Sequence, residues 1–100
     1  MSIPESRRRM LRHEVGIDGP VTIGLTGEPV HVGALAYGAG VEFWAEHDEA
    51  LPARERTFVV FGTGSVLPPG ARWAGTAPRT PDGFVWHLYE VTPAQPGQQS

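Results

Sequence analysis

Four histidines, His13, His31, His47 and His87, are the residues most readily read as metal ligands or proton carriers. No two stand at the i, i+2 or i, i+4 spacing that sets a pair of ligands side by side, so a metal centre would have to be assembled from His13, His31 and His87 on separate segments. Half-buried structural histidines are the commoner case, and no metal or cofactor is expected. Gly62-Thr63-Gly64-Ser65 leaves an apolar run through two glycines, where backbone amides could cradle a phosphate. A dinucleotide site needs a helix directly after the glycines, and Val66-Leu67-Pro68-Pro69-Gly70 cannot supply one. The favoured reading is therefore a turn that needs positive φ, with Gly62, Thr63, Gly64 and Ser65 retained as a candidate ligand loop. A hydrolytic triad would have to use Ser65, because Ser2, Ser6 and Ser100 fall in the tails, and Glu42 with Glu46 sits on an exposed strand face. No catalytic residue is assigned, and the chain is read as non-enzymatic.

Contact chemistry is better represented. Arg7-Arg8-Arg9, with Arg12 soon after, forms a basic cluster able to touch phosphates or an acidic protein patch. Trp44 lies between Glu42 and Glu46 on one strand face, and Trp73 follows Arg72, whereas Trp86 has the pattern of a core residue. Aromatics and arginines are enriched at the centres of interfaces, so Trp44, Trp73, Arg72, Arg7, Arg8 and Arg9 are the candidate partner-binding residues.

The elements that must position these residues are short and extended. Leu11, His13 and Val15 alternate with Arg12 and Glu14, and Val21, Ile23 and Leu25 with Thr22 and Gly24, a period of two. Val30 to Tyr37 and Val41 to His47 make a hairpin about Gly38-Ala39-Gly40, with Val41, Phe43 and Ala45 inward. One helical turn is expected over Glu46 to Leu51. Arg56 to Phe61 reads as a central strand, Trp73 to Ala77 as a short one, and Phe84 to Thr92, apolar on both faces, as another strand from the middle of a sheet. The fold class is all-β, a small sandwich or partly open barrel of about 6–7 mostly antiparallel strands. Residues 1–9 are expected to be a flexible basic arm, 10–92 a single domain and 93–100 a flexible tail.

Leu, Ile, Val and Phe supply 23 of 100 residues, above the level at which a chain cannot fold, so the core is sufficient but small. Cysteine is absent, which removes disulfides and thiolate zinc sites. No apolar run approaches the ~20 residues of a membrane helix, so no membrane partner is expected. A net charge of −3 argues against a broad grip on nucleic acid. The chain contains no lysine and no asparagine, a bias expected of a high-GC genome.

Three motifs fall in order: Thr57-Phe58-Val59-Val60-Phe61-Gly62-Thr63-Gly64 followed by Leu67-Pro68, then Trp73-Ala74-Gly75-Thr76, then Phe84-Val85-Trp86-His87-Leu88-Tyr89-Glu90-Val91. In these the sequence resembles a family of small uncharacterised proteins of actinobacterial bacteriophages and prophages. The resemblance implies a phage context, in the host cytoplasm or the virion, and a non-enzymatic role. The expected function is that of an accessory binding module acting through protein–protein contact or self-association. The alternatives are a β domain that sequesters a small molecule or nucleotide, and nucleic-acid binding through the arginine arm.

Overall fold

The computed structural model describes residues 7–92. Its seven strands are β1 (Arg8–Gly16), β2 (Val21–Leu25), β3 (Pro29–Ala34), β4 (Gly40–Asp48), β5 (Arg54–Gly62), β6 (Arg72–Thr76) and β7 (Trp86–Val91). No helix occurs among the described residues. The strands form two antiparallel sheets, one ordered β1-β4-β3 and the other β2-β5-β7-β6. They stack as a small sandwich, with Phe43 of β4 meeting Phe58 of β5 across the interior at 5.1 Å between ring centroids.

Two-residue alternation explains which side chains fill that interior. Val41, Phe43 and Ala45 are buried from one side, Phe58, Val60 and Leu88 from the other, and Val15, Leu25, Val32 and Ala77 close the margins. Removing a ring as large as that of Phe43 or Phe58 from such a core costs about 3–5 kcal/mol. The two sheets approach closely where the edge strands β3 and β6 meet. A Cβ built on Gly75 of β6 would overlap Val32 Cγ2 and lie 2.9 Å from Val32 Cβ, so only glycine lets β6 come this near.

A bulge sets this contact. Trp73 pairs with Tyr89 and Gly75 with Leu88, leaving Ala74 as the extra residue. In an unbroken strand residues 73 and 75 share a face. The inserted residue turns Gly75 inward, opposite buried Leu88, while Trp73 stays outside opposite Tyr89.

β5 and β6 both run antiparallel to β7, so they are parallel to each other and residues 63–71 must travel the length of β7 to join them. The connection contains no helix or strand and opens with a β-turn, in which Ser65 N–H donates to the Gly62 carbonyl at 3.1 Å. Gly64 holds the third position of that turn at φ 92°, a conformation that excludes other residues at low cost.

Four expectations are corrected. The domain does not begin at residue 10 behind a nine-residue arm: Arg8 and Arg9 belong to β1, in register with Asp48 and His47. Residues 1–6 and 93–100 lie outside the described residues. The helical turn over Glu46 to Leu51 does not form, because β4 continues to Asp48, whose side chain accepts from Ala50 N–H at 2.9 Å and fixes a turn. The third strand stops at Ala34, leaving Tyr37 92% exposed in the hairpin loop. The last strand starts at Trp86, since Phe84 is engaged with Thr80 in the preceding loop. As expected, β7 lies inside its sheet, between β5 and β6.

Candidate functional site

The outer faces of the two sheets differ in chemistry. On the outer face of the three-stranded sheet charges are matched, Arg8 with Glu46 at 3.3 Å and Arg12 with Glu42 at 3.1 Å and with Glu14, and at the start of β1 Arg9 pairs with Glu49 of the turn after β4 at 3.3 Å. The Glu14 carboxylate, aided by Glu42, pushes the Arg12 guanidinium further up from its already high value. Trp44 stands in the same register row as Arg12 and His31. Its indole is half-buried, packed on the His31 ring at 5.4 Å and filling the space that Gly33 leaves on β3. Trp44 therefore lies on the outer face that alternation predicts, but as a cover over the strand more than as a free anchor.

The four-stranded sheet turns a different face to solvent. Cross-strand register brings together Val59 of β5, Tyr89 of β7 and Trp73 of β6 in one row, and Phe61, His87 and Thr76 in the next. Phe61 meets Tyr89 edge-on at 5.7 Å. None of these side chains is an acid, a lysine or an arginine. Trp73 is 64% exposed, an unusual state for so large an apolar side chain.

Trp73 is also held in place. Its Nε1–H donates to Thr76 Oγ1 at 2.9 Å, Thr76 Oγ1 lies 2.9 Å from His87 Nδ1, and His87 Nε2 lies 2.8 Å from Thr63 Oγ1. An indole can only donate, so the Thr76 hydroxyl is free to donate to Nδ1, and a neutral ring carrying Nε2–H then donates to Thr63. The order hydroxyl, imidazole, hydroxyl resembles a nucleophile and its base. The group on Nδ1, however, is a neutral hydroxyl where a hydrolytic triad has a carboxylate to stabilise imidazolium. What the chain does physically is tie β6, β7 and the start of the crossover together and fix the Trp73 ring.

Beyond the His87 end of this face lies a cleft of about 410 Å³ lined by Gly62, Thr63, Arg79, Gly83, Phe84, Val85 and Trp86. Phe84 stacks on Trp86 with ring centroids 5.4 Å apart and planes 14° from parallel. Trp86, expected in the core, is thus half-buried at the rim of the interior. Of the candidate ligand loop, Gly62 and Thr63 line the cleft whereas Gly64 and Ser65 do not.

Elsewhere the charged groups are structural. Arg56 binds Glu28 through two contacts of 2.8 and 2.9 Å and Glu90 through two of 2.9 and 2.7 Å, with its guanidinium 5.7 Å from the centre of the Phe58 ring. Hydrogen bonds from Arg56 hold both carboxyls below the usual range, and those carboxylates push the Arg56 guanidinium up. Arg72 lines a smaller cleft beside this cluster and is not part of the Trp73 row. His13, His31 and His87 do not converge: His13 packs on Phe43, His31 on Trp44, and His87 sits on the other sheet. Arg7 is exposed, and its carbonyl accepts from Glu49 N–H at 3.2 Å.

Sequence reasoning picked out Trp73 but missed Thr76 and His87 as the residues that fix it, and missed Arg79 and Phe84 in the adjoining cleft. The one available signal was the Trp73-Ala74-Gly75-Thr76 string facing Trp86-His87-Leu88-Tyr89 across a turn, which suggests a hairpin without giving its register.

Residues 6–99 match the family model described as Domain of unknown function (DUF7352). The chain belongs to this family. No curated protein and no solved structure matches it.

Proposed function

We propose that this DUF7352 domain is a phage-encoded accessory module that works by binding a protein, of the host or of the phage, in the host cytoplasm or the virion. The working surface is the outer face of the four-stranded sheet around Trp73. The observation that carries this reading is Trp73 itself: a large aromatic, exposed yet fixed by the Thr76 hydrogen bond, in two cross-strand rows, Val59-Tyr89-Trp73 and Phe61-His87-Thr76, that hold no acid and no permanent cation. A rigid aromatic loses little conformational freedom when a partner covers it, which is why such residues dominate binding energy at interfaces. The resemblance to actinobacteriophage proteins supports the phage setting.

The nucleic-acid alternative loses support from the same geometry. Arg8, Arg9 and Arg12 each have a carboxylate partner, so a phosphate would have to displace an existing ion pair to be neutralised. Affinity capture from extract of an actinobacterial host, with wild type and Trp73→Ala as parallel baits, tests the protein-binding reading. A specific protein retained by wild type and lost from Trp73→Ala is the expected result. Identical captured sets would refute Trp73 as the contact.

A further inference from the structure

The cleft beside the Trp73 face has a chemistry of its own. Its one charged lining residue is Arg79. Arg79 spends a single donor on the Gly83 carbonyl, at 2.9 Å, and has no carboxylate within ion-pair distance among the described residues. By contrast Arg8, Arg9, Arg12 and Arg56 are all neutralised by glutamates. A guanidinium presents five donors, so Arg79 keeps a bidentate edge for an anion.

Two further groups face the same space. Phe84 is 55% exposed although stacked on Trp86, so a ring is offered to solvent on which a third flat group can stack. Thr63 accepts from His87 through its oxygen in the tautomer described above, which leaves its hydroxyl proton to donate. The loop that carries Arg79 and Phe84 is built in advance: Thr80 N–H donates to the Phe84 carbonyl at 2.8 Å, Gly83 N–H to the Thr80 carbonyl at 2.9 Å, and Phe84 N–H to Thr80 Oγ1 at 3.0 Å. A volume of about 410 Å³ is within the range of small-ligand sites.

We propose that this cleft binds a small ligand in which a flat ring carries an anionic group. The ring extends the Phe84–Trp86 stack, and the anion is held by Arg79 and the Thr63 hydroxyl. Nucleoside monophosphates and aromatic carboxylates share this chemistry. The proposal goes beyond protein binding, and the two can fail separately, because Trp73 does not line the cleft.

The full chain, isotopically labelled, is titrated with AMP, adenosine, 4-hydroxybenzoate, 4-hydroxybenzamide and inorganic phosphate while the Trp86 indole and Arg79 side-chain resonances are followed. At least one ring-plus-anion probe binds about tenfold tighter than its neutral counterpart and than phosphate, shifting both reporters. Preference for AMP identifies a nucleotide site, and preference for 4-hydroxybenzoate a carboxylate site. Arg79→Gln lowers that probe to the affinity of its neutral counterpart, and Phe84→Ala weakens both by roughly fivefold. Amide spectra confirm that each variant is folded, and Arg79→Lys, which keeps the charge, retains part of the preference. No binding below roughly 10 mM, equal binding of the charged and neutral rings, or indifference to Arg79→Gln overturns the proposal.

Discussion

Adding one methyl group at Gly75 tests the architecture that presents Trp73. The new Cβ would overlap Val32 Cγ2 and stand 2.9 Å from Val32 Cβ, whereas ordinary contact begins at 3.4 Å. Val32 Cβ is fixed to its strand and cannot rotate away, so β3 and β6 must separate by roughly 0.5–1 Å to relieve the contact, a gap that forfeits a quarter to a half of the dispersion energy along the seam. Overpacking of this kind costs about 1–3 kcal/mol, and the rigid partner places Gly75→Ala in the upper part, about 2–3 kcal/mol. For a domain of this size that lowers Tm by about 10–20 °C. Urea denaturation of wild type, Gly75→Ala, Val32→Ala and the double variant gives the assay, with a coupling of about 1 kcal/mol because Val32→Ala removes the Cγ2 overlap while its Cβ remains. If Gly75→Ala stays within about 0.5 kcal/mol of wild type, or the two changes add independently, β3 and β6 do not meet as described.

Arg56→Gln leaves Glu90 and Glu28 without their cation. The cost is about 2–3 kcal/mol by chemical denaturation, below the figure for a fully buried pair because Glu28 stays mostly in water. Since Arg56 depresses both carboxyl pKa values in the folded state, its stabilisation is present above the ordinary carboxylate value near 4.5 and lost as pH falls through the depressed ones. The gap between wild type and Arg56→Gln should therefore narrow below about pH 4.5; a constant gap down to acid unfolding contradicts the assignment. His13 is held below its usual value near 6.5 by burial and then by His47, so the folded state favours the neutral ring. Stability is full above that value and declines as pH falls from it through the lowered one, and His13→Gln flattens this decline in a pH series of melting curves.

Alternation made the interior legible wherever it was uninterrupted. Val41, Phe43 and Ala45 of β4 and Val21, Ile23 and Leu25 of β2 point as their spacing says, because a half-buried strand must place every second side chain inward. The Trp73 face was less legible for a reason equally physical. A bulge at Ala74 changes which residues of Trp73-Ala74-Gly75-Thr76 share a side, and no local pattern announces it. Arg8 and Arg9 look like a solvated arm because their partners, Glu46 and Glu49, are supplied by a strand end and turn far along the chain. Arg79 and Phe84 read only as parts of a Pro- and Gly-marked turn. Their convergence with Gly62 and Thr63 follows from β5 and β7 being neighbours, which sequence spacing alone does not give.

The proposed protein contact lies on the Trp73 face and not on the Trp44 face. Calorimetric titration of the captured, purified partner against wild type, Trp73→Ala and Trp44→Ala measures it directly. Loss of the exposed, hydrogen-bonded indole of Trp73 should weaken binding about 30-fold, the scale of an aromatic hot spot, while Trp44→Ala binds as wild type does. Unchanged affinity for Trp73→Ala, or a loss confined to Trp44→Ala, would place the interface on the opposite sheet and contradict the account.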